Sequence, residues 1–378
     1  MNNNERYERY QRQIVLKEFG VAAQQKLLQA KVLVIGAGGL GCPVLQYLAA
    51  AGVGTIGIVD DDVVLITNLH RQVLYSVEDI GLSKAEVAAK KLKSLNDGIN
   101  IIDYNTRLTN QNALGIINSY DIVVDGTDNF SSRYLINDAC VLLNKPLIYG
   151  AISKFEGQVA VLNANVNNKR AANYRDVFST PPKDDEVLNC AETGVLGVLP
   201  GIIGTMQANE TIKLITGIGK PLINTLLTYN ALDNSVYEVN LSLNEAAQQL
   251  VPENEEAFLK MDYEWLCSSQ INKQLEIDVD RFDNLIDDEN TIIIDVREKD
   301  EQPIVNEFEH LQIPLSELLS EQTVITKDNV VLFCQTGKRS LHAANTLSEL
   351  FKDKKVYSLK GGILEWKTNN VYNNPAVN

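Results

Sequence analysis

The chain contains no Cys-x-x-Cys pair. Its five cysteines, at 42, 140, 190, 267 and 334, are scattered and odd in number. That speaks against a disulfide framework and against a four-thiolate zinc site. Histidine is scarce too, with only 70, 310 and 342, and no serine–histidine pair for nucleophilic catalysis is evident. Positive charge is in deficit: 34 Lys and Arg against 49 Asp and Glu leave a formal net charge of −15. A nucleic-acid binder would need a basic patch overcoming that field, so no nucleic-acid partner is expected. The opening "MNNNERYERYQRQ" lacks the apolar core of a signal peptide. Residues 32–59 carry no charge, but glycines and Pro43 interrupt them, so they read as strand, loop, helix, strand rather than as a membrane span. A cytoplasmic protein without a membrane partner is expected.

What is present is an α/β pattern, twice. The length of 378 residues suits two or more domains. "KVLVI" (31–35) reads as a buried strand, "GAGGLG" as the following turn, "PVLQYLAAAG" as a small-residue helix and "TIGIVD" as a second strand ending at Asp60. "SKAEVAAKKLKSL" is the next helix, with Ser83 and Glu86 at capping-box spacing. "YDIVVDGTDN", "KPLIYGAIS" and "GQVAVLNA" read as further strands, residues 163–189 as a long loop, and "GVLPGIIGTMQANETIKLITG" as a buried helix after a loop. From about 241 the composition shifts to Asn, Gln and Glu. The expected layout is therefore a nucleotide-binding domain over 1–240, a linker over 241–275 and a small α/β domain over 276–378.

Gly36, Gly38 and Gly41 fit G-x-G-x-x-G between a strand and a helix, where backbone N–H groups approach a phosphate. Asp60 closes the next strand, about the usual offset for a carboxylate on ribose hydroxyls. Lys84 stands in a first helical turn, where a cation opposes the helix dipole at roughly 0.3–1 kcal/mol, so a neutralising phosphate makes better sense of it. Asp128 in "GTDN" follows a strand, at the rim where ligands bind, and its hard carboxylate suits Mg²⁺. Arg71 in "ITNLHRQ" can clamp phosphates in a bidentate fashion. Together they favour ATP over a nicotinamide cofactor. A structural turn, or an NAD-dependent oxidoreductase on the same glycines, remain the competing readings.

These residues also carry a resemblance. "RYQRQI", "VLVIGAGGLGC", "DDDVVLITNLHRQ", "GLSKAEVA", "DGTDNFSSRYLIN" and "NCAETGVLGVLPGIIG" look like the ubiquitin-activating-type adenylyltransferases. The resemblance is to the branch that activates sulfur-carrier proteins for molybdopterin or thiazole synthesis, and it covers roughly residues 5–235. It implies a Rossmann-like adenylation domain with a mixed, largely parallel sheet. It also implies ATP contacts from Gly36, Gly38, Gly39, Gly41, Asp60, Asp62, Asn68, Arg71 and Lys84, with Mg²⁺ on Asp128. It further implies a homodimer in which Arg12 reaches the partner subunit's ATP, and Cys190 as a thiol on the crossover loop that meets the activated carrier. The chain departs from that pattern at one place: where relatives commonly carry "CYRC", it reads "NYRD", Asn173 to Asp176, and no cysteine occurs near 240–255. No structural zinc is expected.

"CQTGKRS", Cys334 to Ser340, is the second chemical centre. Successive N–H groups, the following helix and the cations Lys338 and Arg339 favour a thiolate there, nucleophilic and able to hold an anionic persulfide. Arginine-assisted phosphatases use Cys-x-x-x-x-x-Arg; here Arg339 makes the loop one residue shorter. The tighter loop resembles rhodanese sulfurtransferases, as do "IIIDVRE" and "KGGILEW". A shortened "FEHLQIP" marks the altered pocket rim at 307–313. The combined expectation is ATP-dependent adenylation of the C-terminal glycine of a small ubiquitin-like carrier ending in Gly-Gly. A Cys334 persulfide, loaded by a sulfur donor, then converts the carrier to a thiocarboxylate. The alternatives are activation ending in a Cys190 thioester for protein conjugation, or a carrier-binding scaffold with reduced catalysis.

Overall fold

The computed structural model describes residues 7–166, 169–179, 194–263, 275–299, 301–318 and 327–373. They fall into two compact units, one running to residue 263 and one starting at residue 275.

In the first unit two short helices, α1 (Gln11–Ile14) and α2 (Gly20–Gln29), precede strand β1 (Lys31–Ile35). Then come α3 (Gly41–Ala51), β2 (Thr55–Val59), α4 (Lys84–Leu95), β3 (Asn100–Tyr104), α5 (Ala113–Asn118), β4 (Ile122–Asp125) and α6 (Phe130–Leu142). β5 (Leu147–Ser153) and β6 (Glu156–Leu162) follow, with a small ribbon of β7 (Asn165–Val166) and β8 (Lys169–Arg170). The unit closes with α7 (Tyr174–Val177), α8 (Leu199–Thr216), β9 (Thr225–Asn230), β10 (Val236–Asn240), α9 (Glu245–Gln248) and α10 (Glu255–Lys260). The eight main strands run in the order β10-β9-β6-β5-β4-β1-β2-β3. β1 to β5 pair in parallel, and β6, β9 and β10 join antiparallel.

The apolar run of β1 has a direct physical reading. Successive side chains of a strand point to opposite faces, and a parallel sheet is covered on both. Val32 and Val34 accordingly enter one core with Leu27, Leu45 and Leu48, while Leu33 and Ile35 enter the other with Val123, Tyr134 and Ile136. β1 lies between β2 and β4, so the chain leaves it in opposite directions on its two sides. The C-terminal ends of β1 and β4 thus form the switch point where open α/β sheets bind ligands. Helix α8 is pinned beside it: the amide of Gln207 donates to the carbonyls of Asp125 (2.7 Å) and Ile148 (3.2 Å).

Two stretches differ from the sequence expectation. The loop expected over 163–189 carries the β7–β8 ribbon and α7 in its described part. The stretch expected as linker over 241–275 contains α9 and α10, and Phe258 and Tyr263 are buried in the first unit's core. Asn, Gln and Glu composition hid this because two aromatic anchors suffice to dock a polar segment.

The second unit has β11 (Glu276–Ile277), α11 (Val279–Ile286), β12 (Thr291–Asp295), β13 (Leu311–Gln312), α12 (Leu315–Leu318), β14 (Asn329–Phe333), α13 (Lys338–Leu350), β15 (Lys355–Leu359) and α14 (Gly362–Asn373). Its strands are all parallel, in the order β11-β15-β14-β12-β13. Cores lie on both faces. Among the described residues no helix is long and apolar enough to cross a membrane.

Candidate functional site

A cavity of about 770 Å³ lies at the switch point. It is lined by Gly36, Gly38, Gly39, Asp60, Asp62, Arg71, Lys84 and Asp128, which the sequence singles out from five separate segments. The tight turn after β1 explains two of the glycines. Gly36 has φ +90°, and a Cβ on it would sit 2.7 Å from the Gly126 carbonyl oxygen; one on Gly41 would sit 1.9 Å from that of Gly36. Gly38 differs, because its nearest neighbour would be Gln72 Nε2 at 3.6 Å. The protein does not need that side chain to be missing; its absence opens the cavity.

Asp60 anchors the turn to the second strand. One carboxylate oxygen accepts from the Ala37 N–H at 2.7 Å and the other from the Asp62 N–H at 2.9 Å. Burial pushes its carboxyl above the ordinary range, against the pull of Lys84 and those N–H donors. Tyr75 holds the same turn to α4, its hydroxyl meeting the carbonyls of Ala37 (2.9 Å) and Lys84 (3.2 Å). Lys84 is the first residue of α4, 5% exposed, and its ammonium donates to Asp62 at 2.7 Å. A carboxylate thus occupies the cation for which the sequence demanded a phosphate. Ser83 caps α4 through the Glu86 N–H, while the Glu86 carboxylate accepts from Asn105 rather than closing a capping box.

Other expected residues lie elsewhere. Asn68 is buried outside the cavity lining, its side-chain oxygen accepting from the Leu65 N–H at 3.1 Å. Gly41 is packed beneath the turn. Arg12 is exposed on α1 and is not part of the lining. Cys190 lies outside the described residues. Sequence reasoning missed Gln72, Asn129, Ser132 and the "TRL" run 106–108 that completes the wall. The signal for the last was the strand β3 just before it, a polar edge strand whose burial alternates poorly.

For Mg²⁺ the hard oxygen donors fit. Asp128 lines the cavity, whereas Asp60 and Asp62 in the neighbouring acidic group are already committed to backbone N–H groups and to Lys84. Below Asp128, Asp125 is 1% exposed; Thr127 satisfies its Oδ1, and its Oδ2 has no hydrogen-bond partner. Burial pushes that carboxyl up, with Arg133 opposing.

In the second unit Cys334 follows β14 and is buried. The loop is fastened from behind by α14, whose Ile363 and Leu364 N–H groups donate to the carbonyls of Cys334 (2.9 Å) and Gln335 (3.2 Å). Ser340 Oγ lies 3.6 Å from Cys334 Sγ and 3.1 Å from the Gly337 carbonyl, and Ser358 donates to Ser340 at 2.9 Å. Arg339 forms a two-pronged pair with Glu301, 2.6 Å on each arm. That pairing holds the Glu301 carboxyl below its ordinary range, against the opposing effect of burial. Arg297 of "DVRE" is buried, gripping Asp295 and donating to the Pro303 carbonyl at 2.9 Å, and so braces the turn that carries Glu301. The side chain of Lys338 lies outside the described positions. The shortened rim still builds edge strand β13, and Phe308 packs edge-to-face on Phe282, Phe333 and Trp366. Glu301 and Ser358 are site neighbours that sequence reasoning missed, since only the fold brings them to the loop; Ser340 belongs to the quoted loop, and its place beside Sγ emerges only from the structure.

Comparison with known proteins adds the following. Residues 10–250 match the ThiF family model and residues 278–369 the rhodanese-like domain model. The chain is 39% identical over 393 residues to "Adenylyltransferase and sulfurtransferase MOCS3" of Culex quinquefasciatus, covering 98% of this chain and 89% of the relative. It is 48% identical over 264 residues to "Sulfur carrier protein adenylyltransferase" of Thermus thermophilus, covering 70% of this chain and 97% of the relative. It is 39% identical to "Probable adenylyltransferase/sulfurtransferase MoeZ" of Mycobacterium tuberculosis, with 96% and 93% covered. Among solved structures, Escherichia coli MccB superposes with a TM-score of 0.56 at 24% identity, covering 64% of this chain and 71% of that one; the likeness is one of fold.

Proposed function

The chain belongs to the ThiF family, continued by a rhodanese-like domain, and from that premise we propose how its adenylyltransferase and sulfurtransferase activities are divided among its residues. The substrate is a small ubiquitin-like sulfur carrier ending in Gly-Gly. Its terminal carboxylate, with an ordinary pKa of roughly 3.3–3.7, is ionised at neutral pH and needs no general base. One carboxylate oxygen bonds to the α-phosphorus of ATP, the bond to the bridging oxygen breaks, and pyrophosphate leaves. The protein's task is to position two anions and screen their repulsion. Arg71 and Lys84 carry this out from within the cavity, and Arg12 from the partner subunit of a homodimer. Asp128 would hold Mg²⁺, which supplies further charge neutralisation on the phosphates. The observation that carries this reading is the convergence of Arg71, Lys84 and Asp128 on one cavity beside the glycine turn.

Sulfur follows. A persulfide donor leaves its outer sulfur on Cys334. That sulfur attacks the carbonyl carbon of the acyl-adenylate, AMP departs, and an acyl disulfide joins carrier and enzyme. The Cys190 thiolate then attacks Cys334 Sγ, so that a Cys190–Cys334 disulfide forms and the carrier leaves as a thiocarboxylate. A dithiol reductant resets the pair. Free thiols and persulfides persist in a reducing cytoplasm, which we take as the setting. A pathway ending in a Cys190 thioester is not favoured, because it leaves the rhodanese-like unit without a task. Zinc has no part in this scheme.

The experiment is ATP–pyrophosphate exchange against a panel of Gly-Gly carriers, followed by mass spectrometry of the carrier after incubation with ATP and a persulfide donor. Replacement of one carrier oxygen by sulfur is expected. Exchange without that mass change, in the presence of a competent donor, would sink the sulfur step.

A further inference from the structure

Where the resemblance calls for a zinc-binding Cys-x-x-Cys pair, Asn173 and Asp176 stand at the two positions. The Asp176 side chain is fully buried, and both of its oxygens accept hydrogen bonds. Oδ2 accepts from the Asn173 backbone N–H at 2.8 Å and faces the Arg170 guanidinium at 3.5 Å; Oδ1 accepts from the Asn244 backbone N–H at 2.9 Å. Asn244 opens "NEAA", in which Ala247 has the same two-residue spacing and is 1% exposed. Both asparagines are helix N-caps. The Asn173 side-chain oxygen accepts from the Arg175 and Asp176 N–H groups, and that of Asn244 from Ala246 and Ala247. Two one-turn helices, α7 and α9, therefore begin against a single carboxylate.

The donor set does not fit zinc. A tetrahedral structural site needs four lone-pair ligands, thiolate or imidazole above all. Here N–H donors converge instead, and the Asn173 amide nitrogen is buried with no acceptor at all. The one anion at positions 173, 176, 244 and 247, Asp176, already accepts from two backbone N–H groups.

We infer that Asp176 is a metal-free clasp, joining the 173–176 turn to the 244–247 turn by hydrogen bonds where relatives with two cysteine pairs would use zinc. The inference rests on the zinc-free reading above and adds the residue that replaces the metal. The turn is also locked from its other side. The Tyr174 N–H donates to Asn137 at 2.8 Å, Arg175 holds Asp138 with two bonds of 2.7 Å, and the Tyr263 hydroxyl reaches the same carboxylate at 3.0 Å. The chain thus sets out toward Cys190 from an anchored turn. It does so without thiols that oxidation or chelation could remove.

The test uses the full chain. Metal analysis of the purified protein, before and after a zinc-selective chelator, is expected to find no stoichiometric zinc, and backbone hydrogen exchange to be indifferent to the chelator. Asp176→Ala is expected to speed exchange in the 241–250 peptide by about 10-fold or more while β1 stays protected. Asp176→Asn, which keeps the size and one acceptor oxygen, should fall between wild type and Asp176→Ala, and carries the test if the alanine variant does not fold. One zinc per chain would overturn both the zinc-free reading and the clasp. Zinc-free protein whose 241–250 exchange ignores residue 176 would overturn the clasp alone.

Discussion

Lys84 and Asp62 form an ion pair of 2.7 Å in the lining of the cavity beside the glycine turn, the lysine buried and the aspartate side chain 69% exposed. Such a pair contributes little stability through its exposed member, but it keeps a buried ammonium compensated; in the proposed reaction a phosphate competes for it. Lys84→Met is therefore expected to lower ATP–pyrophosphate exchange by about 10²–10³-fold, the size of effect typical for a removed charge-stabilising donor. The melting temperature should change little. A comparable loss of folding would show that the pair is structural.

Gly38 and Gly41 should separate cleanly. A methyl group at Gly38 meets nothing closer than 3.6 Å, whereas one at Gly41 lands 1.9 Å from a backbone oxygen. Gly38→Ala should fold normally and weaken ATP binding about 10-fold by filling cavity space, measured by calorimetric titration. Gly41→Ala should give little soluble protein.

Cys334→Ala is expected to abolish carrier thiocarboxylation while leaving pyrophosphate exchange at wild-type level. Ser340→Ala removes the hydroxyl beside Sγ. It should slow sulfur transfer roughly 10-fold, the size of effect expected for the loss of one hydrogen bond. Equal transfer rates in Ser340→Ala would remove the serine from the sulfur site.

Buried cysteines should stay silent. Burial pushes the Cys42 thiol up to about 12 and raises that of Cys140 as well. Iodoacetamide at mild alkaline pH should leave both unmodified in the native protein, as peptide mass spectrometry would show, because the thiolate is the reacting form.

Glu301 gives a pH signature. Its pairing with Arg339 lowers the carboxyl below 4.5. The stabilisation is therefore present above 4.5 and is lost as pH falls through the depressed folded-state value. Acid unfolding of the second unit, followed by urea melts at stepped pH, should lose part of its steepness in Glu301→Gln. An unchanged profile would mean the pair contributes nothing.

Much of the fold is legible in the chain because local patterns match it. The apolar runs 32–35 of β1 and 122–124 of β4 are strands covered on both faces, and the glycine spacing announces a turn with no room for a Cβ at Gly36 or Gly41. β3 was not legible, since an edge strand has one half-solvated side and reads as polar. Nor was the docking of 244–263, where Phe258 and Tyr263 carry an otherwise hydrophilic segment into the core.

The sequence alone determined which chemistry is present. A nucleotide turn, a lysine at a helix start, a carboxylate at a strand end and a Cys-x-x-x-x-Arg loop are each set by residues a few positions apart, so local spacing is enough to read them. Tertiary structure decided who meets whom. Lys84 turns to Asp62, Arg339 to Glu301, Ser358 to Ser340 and Asp176 to Asn244. The members of these pairs are brought together by sheet order and helix docking, and a hydrogen bond depends on position within a few tenths of an ångström, which no short-range pattern specifies.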